Sequence, residues 1–180
     1  LSEGVLWDFA SQSPANMLLD HYGFDYSLLP DLVPGFGEQG FLTAGSAAQL
    51  GLAEGTPVTY RAGDQPNNAF SLNVLEPGEI AATGGTSGVV YGVSDQTKYD
   101  PLSRVNTFLH VTKQGGPPRY GVLLCINGTG SLNSWLRNQL IQGRLSYSEM
   151  NDLAARAPVG AEGLVCLPFG NGAERVLGNA

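Results

Sequence analysis

Asp64 and the run Gly84-Gly-Thr-Ser-Gly88 hold the residue types of this sequence best suited to chemistry. The stretch Thr56-Pro-Val-Thr-Tyr-Arg-Ala-Gly-Asp64 is a short β-rich run that ends by presenting a lone carboxylate on a Gly-Asp turn. About twenty residues on, Thr83 to Gly88 forms a glycine-hydroxyl turn between two β-rich runs, Glu79 to Thr83 and Val89 to Ser94. A carboxylate can accept the proton of an attacking hydroxyl, and a turn rich in N–H donors can hold phosphate oxygens. Together they are the minimum equipment for moving a phosphoryl group onto a hydroxyl.

Each motif also has a plainer explanation. Asp64 lies where a strand gives way to a helix, so it also suits a helix N-cap, and the two roles can coexist. A carboxylate at a strand's carboxyl end faces the crevice in which α/β proteins bind ligands. Gly84 to Gly88 could be a tight hairpin, since glycine admits positive φ. A plain hairpin needs fewer glycines than this one holds. Glycines around Thr86 and Ser87 have the composition of an anion nest, and no Lys follows where a G-x-x-x-x-G-K loop would place it. Gly35-Phe-Gly-Glu-Gln-Gly40 formally matches the dinucleotide fingerprint G-x-G-x-x-G. Pro34 directly precedes it and no helix opens from it, so it is expected to be a surface loop. Glu76, Glu79 and Asp100 are expected at solvated turns, and Trp7 and Trp135 as core or interface anchors.

The elements that must position these residues follow from periodicity and punctuation. Pro14 to Tyr22 reads as a helix with Ser13 as cap and Gly23 as stop. A short helical turn over Tyr26 to Pro30 and an extended Asp31 to Pro34 come next, then a helix over Thr43 to Leu50 closed by Gly51. Pro57 to Ala62 is a strand and Pro66 to Leu75 a helix; Glu76-Pro-Gly78 is the clearest internal boundary. Beyond it the pattern is β over Glu79–Thr83, Val89–Ser94, Asn106–Thr112 and Tyr120–Cys125, with a hairpin-like loop from Lys113 to Pro118. Ser131 to Ile141 places Leu132, Trp135, Leu136 and Leu140 on one helical face. Ser148 to Ala157 is a second helix, with Ser146 or Ser148 as cap, and Gly163 to Pro168 a last strand.

At 180 residues the chain can hold one full domain or pieces of two. A net charge of −7 argues against nucleic acid as partner, which needs a basic face, but not against a nucleotide. Cys125 and Cys166 sit in apolar runs and are expected to be buried, reduced thiols of a cytoplasmic protein. Neither they nor His21 and His110 have metal-ligand spacing. No apolar run could cross a bilayer, so no membrane partner is expected. The sequon Asn127-Gly-Thr129 is read as chance. The chain opens on Leu1 and ends on Gly178-Asn-Ala180, which reads as two cuts through a longer polypeptide.

The run Leu50-Gly-Leu-x-x-Gly-Thr-Pro-Val58, then Ala62-Gly-Asp64, Pro77-Gly-Glu79, Gly85-Thr-Ser-Gly88 and Val93-Ser-Asp95 resembles the FGGY family of carbohydrate kinases, most of all its xylulose kinases. The Ser131–Leu136 helix and Gly163 to Phe169 fit as well. The resemblance implies an α/β fold of two ribonuclease-H-like (actin-like ATPase) domains, with mixed sheets flanked by helices. Residues 1–77 would close the first domain and 78–180 begin the second. It implies ATP and Mg²⁺, with Asp64 as catalytic base, Asp64 and Gln65 at the sugar, and Gly85, Thr86, Ser87 and Gly88 at the ATP phosphates. No residue is implied as a metal ligand. Gln65-Pro66-Asn67 departs from the family's more usual Asn-Ala-Ala, which bears on the sugar. The implied reaction is D-xylulose to D-xylulose 5-phosphate in the full-length parent. Ribulose, gluconate or glycerol as substrate, or a non-catalytic actin-like binding module, are the alternatives. The family's amino-terminal phosphate turn and its later adenosine segment are missing, so the chain alone is expected to be inactive. Strands short of partners would open the way to a homodimer.

Overall fold

The computed structural model describes residues 6–111, 116–170, 172 and 174–177. Two compact units share the chain: Leu1–Ala81 with Tyr91–Tyr99 and Thr107–Val122, and Ala82–Val90 with Asp100–Asn106 and Leu123–Ala180.

In the first unit, β1 (Trp7–Asp8) pairs with β2 (Ser13–Pro14), an element that its two-residue strands hide from periodicity. Its loop is folded by the Asp8 carboxylate, which accepts from Ala10 N–H at 2.8 Å and from the Ser11 hydroxyl at 2.6 Å. Ser13 is therefore in a strand and not a cap. Helix α1 runs over Asn16–Tyr22 from Ala15 and stops at Gly23, whose φ of 67° is left-handed. A 3₁₀ turn at Tyr26–Leu28 is capped by Asp25.

β3 (Phe36–Phe41) occupies the segment expected to be a loop. It pairs antiparallel with β4 (Pro57–Tyr60), Phe36 opposite Tyr60 and Phe41 opposite Pro57, with a bulge between Phe36 and Gly40. Gly37 and Gly40 take φ of 140° and 142°, open only to glycine, so the glycines mistaken for a loop signal are what lets the strand bulge. The dinucleotide fingerprint is absent in structure too, for these glycines lie in an antiparallel ladder. Helix α2 (Ala44–Leu50) lies between the strands in sequence, capped by the Thr43 side chain and closed by Gly51 as expected. Helix α3 (Asp64–Ser71) follows β4 directly.

Next come β5 (Ile80–Gly84), β6 (Gly88–Ser94), β7 (Asn106–Leu109) and β8 (Tyr120–Ile126), in a four-stranded sheet of order β5-β6-β8-β7. The last residue expected in the third of these strands, Thr112, and much of the following loop lie outside the described residues. Tyr91, Val93, Tyr120 and Leu123 are buried. Gly121 is required by contact: a Cβ there would land on the Tyr91 phenol. His110 is also buried, 3% exposed. Its Nε2 lies 3.1 Å from the Val74 carbonyl, which can only accept, so Nε2 carries the proton. Nδ1 then accepts from the Tyr91 hydroxyl at 3.1 Å. Both ring nitrogens are satisfied in the neutral form.

The acidic turn residues are tied down more than expected. Glu79 accepts from the N–H groups of Leu75 and Glu76 at 2.7 and 2.9 Å. Glu76 meets Arg119 at 3.2 Å, and Asp100 takes Arg104 Nε at 2.7 Å.

In the second unit, α4 (Thr129–Trp135) widens at its end into a π-type turn over Leu136–Leu140, shown by Ile141 N–H reaching Leu136 O at 3.0 Å. Trp135, Leu136 and Leu140 are exposed, so the stripe expected along this helix does not form a buried face here. Helix α5 (Tyr147–Ala154) starts with a capping box between Ser146 and Glu149. The strand expected at Gly163 to Pro168 is absent: 161–163 form a 3₁₀ turn, the rest is irregular, and Leu164, Val165 and Leu167 are exposed. A strand exists only with a ladder partner, and β propensity cannot supply one. Cys125 and Cys166 are both exposed, against expectation, because an apolar window does not distinguish the covered from the open positions of a segment.

Two outcomes follow for the complete protein. Gly121→Ala overpacks the Tyr91 ring and is expected to cost about 1–3 kcal/mol, read from the urea midpoint. Burial lowers the His110 pKa from its ordinary 6.5, opposed by the Val74 bond. Below that value the unfolded chain binds the proton that the folded one refuses. The stability from neutral His110 is thus complete above pH 6.5 and is lost as pH falls toward the folded pKa. A urea midpoint that declines from about pH 6.5, and does not in His110→Phe, checks this.

Candidate active site

Asp64 and Gln65 belong to the first unit, and Gly85 to Gly88 to the second. The carboxylate is delivered by β4 and α3. Phe36 on β3 stacks on Tyr60 on β4 at a centroid distance of 4.9 Å, and Phe70 on α3 closes edge-on to Phe36 at 5.5 Å. The Tyr60 hydroxyl donates to Asn67 Oδ1 at 2.8 Å, a tie between the strand and the first turns of the helix. The turn between them is held on both sides.

Gly63 is the N-cap of α3, with φ −66° and ψ 162°, and Asp64 is the first helical residue. Asp64 is therefore not the cap. Pro66 fits the first turn because its missing N–H would have had no helical partner there. A carboxylate in this turn complements the helix dipole. Asp64 Oδ1 accepts from Gln65 N–H at 2.7 Å, and Gln65 Nε2 approaches Oδ2 at 3.4 Å. The side chain is exposed. Gln65, expected at the substrate, thus also orients the carboxylate.

Gly85, Thr86, Ser87 and Gly88 come together as the β5–β6 hairpin turn, closed by Gly85 N–H to Ser87 O at 3.1 Å. The opening amides of α4 clasp this turn: Gly130 N–H donates to Gly85 O at 2.9 Å and Ser131 N–H to Thr86 O at 3.2 Å. A trans peptide points its C=O and its N–H in opposite directions. With both carbonyls turned to α4, the N–H groups of Thr86 and Ser87 point together to the opposite side. Two like-oriented amides in a turn that also carries two hydroxyls can receive an anion. Among the described residues no partner occupies the Thr86 or Ser87 hydroxyls.

Sequence reasoning missed Gly130, which with Gly88 makes the clasp possible, and Gly128 beside it. A Cβ on Gly130 would strike Gly85 O, one on Gly88 would strike Thr129 Oγ1, and one on Gly128 would strike Pro168 O. The signal was there: Gly128-Thr-Gly130 sits between a strand and a helix, the place where backbones approach closely, and was read as part of a sequon. Among the described residues no group of His, Cys, Asp and Glu could hold a metal ion.

No family model matches the chain. The chain is 28% identical over 153 residues to a xylulose kinase of Staphylococcus epidermidis, covering 85% of this chain and 30% of that protein. It is 25% identical over 189 residues to a gluconokinase of Bacillus subtilis, covering 98% and 34% respectively. Among solved structures, a xylulose kinase from Rhodospirillum rubrum superposes with a TM-score of 0.79 at 31% identity, over 94% of this chain and 34% of that one. The chain therefore spans about a third of the length of the curated relatives it matches.

The clasp separates glycines by consequence. Gly130→Ala should cost about 1–3 kcal/mol, since a backbone oxygen stands in the way. Gly84→Ala, with nothing within 4 Å of the added carbon, should stay within about 0.5 kcal/mol. Chemical denaturation of the two variants side by side checks the contrast.

Proposed function

We propose, for a chain related in sequence and in actin-like α/β fold to the FGGY-family carbohydrate kinases, that the complete protein transfers the γ-phosphoryl group of ATP to a hydroxyl of a small sugar, D-xylulose foremost. The observation that carries this reading is the pair of amides of Thr86 and Ser87, turned to one side by the clasp with α4. Residues 1–77 would then close a first domain and 78–180 open a second.

In this mechanism the sugar hydroxyl gives its proton to the Asp64 carboxylate as its oxygen attacks the γ-phosphorus in line. The new O–P bond forms as the bond to the β-phosphate oxygen breaks, and ADP leaves with that electron pair. Gln65 orients Asp64 and reaches toward the sugar. The amides and hydroxyls of Thr86 and Ser87, between Gly85 and Gly88, take phosphate oxygens and stabilise charge on the transferring group. The Mg²⁺ that accompanies ATP in such transfers finds no ligand set among the described residues, so no step is assigned to it. The described residues include no helix long and apolar enough to cross a membrane. On this reading the enzyme works in the cytoplasm.

Gluconate is the second substrate to weigh, because the gluconokinase likeness runs along 98% of the chain. ATP consumption by the complete protein, in a coupled assay against D-xylulose, ribulose, gluconate, glycerol and erythritol, separates them. D-xylulose is expected to turn over fastest, and silence across the panel would favour a non-catalytic relative. Asp64→Asn is nearly isosteric and is expected to lower kcat by about 10²–10⁴. Near-normal turnover in that variant would remove Asp64 as the base.

A further inference from the structure

The His110 latch and the helix that starts with Asp64 belong to the same unit, and bonded atoms connect them. Val74, whose carbonyl accepts from His110 Nε2 at 3.1 Å, lies just past the end of α3. Its own N–H returns to Ala69 O at 2.9 Å, and Leu72 N–H bonds the same carbonyl at 3.1 Å. The ring is thus fastened to the closing turn of the eight-residue helix whose first residue is Asp64.

We propose that His110 is a positioning residue for phosphoryl transfer: with Tyr91 behind it, it fixes the C-terminal end of α3 and thereby the placement of the Asp64 carboxylate. This rests on Asp64 acting as the base. An eight-residue helix is about 12 Å long, so a tilt of about 5° at the Val74 end carries Asp64 by about 1 Å. Displacements of that size reduce catalysis by orders of magnitude.

The latch is built to resist such a tilt. Tyr91 and His110 are 2% and 3% exposed, and Gly121 leaves the Tyr91 phenol the space in which it reaches Nδ1. His110 N–H is itself held by Arg119 O at 2.9 Å. The charged groups around it are committed elsewhere: the Arg119 side chain to Glu76, and the Glu79 carboxylate to the N–H groups of Leu75 and Glu76. None of these reaches the ring, which leaves Tyr91 and Val74 as its hydrogen-bond partners.

The test uses the complete enzyme and three readouts: kcat, KM for ATP, and amide exchange at Leu72 and Val74. His110→Phe keeps the ring's bulk but loses the donor. It should lower kcat by about tenfold or more, leave KM for ATP within about twofold, and speed exchange at both amides. His110→Gln restores an N–H toward Val74 O and should recover most of the rate. Unchanged kcat in His110→Phe, or equal losses in Phe and Gln, overturns the proposal. Should His110→Phe fail to fold, Tyr91→Phe decides. That variant keeps its ring over Gly121 and releases only Nδ1, so about a threefold loss in kcat is expected and no loss overturns the proposal. Asp64→Asn is measured in parallel. If it is active, the base reading fails and the proposal with it, even where His110→Phe speeds exchange. If it is inactive while His110→Phe turns over normally, only the positioning role fails.

Discussion

A shortage of side chains holds the second unit's site together. Gly85 O and Thr86 O can accept from Gly130 and Ser131 only because Gly130 brings no Cβ into the gap and Gly88 leaves room for Thr129. Once those carbonyls are committed, peptide planarity decides where the neighbouring amides point. The turn has no charged residue, and its aligned amides supply partial positive charge in place of one. Everything assigned to Thr86 and Ser87 depends on that approach of backbone to backbone.

The first unit solves its own positioning problem with side chains. Phe36, Tyr60 and Phe70 hold β3, β4 and α3 together around the Gly63-Asp64 turn, and the Tyr60–Asn67 bond adds a directional tie. Beyond α3, the segment from Val74 to Glu79 is pinned by His110, by Arg119 through Glu76, and by the Glu79 carboxylate bent back onto its own chain. One end of α3 carries Asp64 and the other end is anchored. An exposed carboxylate can thus stand on a stiff support.

How much of this the sequence disclosed depended on the range of the interaction. Local punctuation was legible: Thr43 and Gly51 bound α2, Gly23 ends α1, and Ser146 with Glu149 caps α5. The β5–β6 hairpin and its hydroxyls were legible for the same reason. Long-range facts were not. That Phe36–Phe41 is a strand depends on β4 as partner, and that Gly163 to Pro168 is not a strand depends on the lack of one among the described residues. Exposure of Cys125 and Cys166, and burial of His110, are likewise properties of what packs alongside. The clasping glycines 128 and 130 fall between these classes. Their composition was visible, but their purpose appears only when Gly85 and Pro168 are seen opposite them.

The widened turn at Leu136–Leu140 leaves a trace in the register of the helix. A π-type turn encloses one residue more than an α-turn, so the faces before and after it differ in phase by about 100°. A stripe counted across it at a steady 3.6 residues mixes two faces, as the run from Leu132 to Leu140 did. Removal of one residue here would close the turn into plain α-helix and bring the two faces back into phase, with both flanks undisturbed.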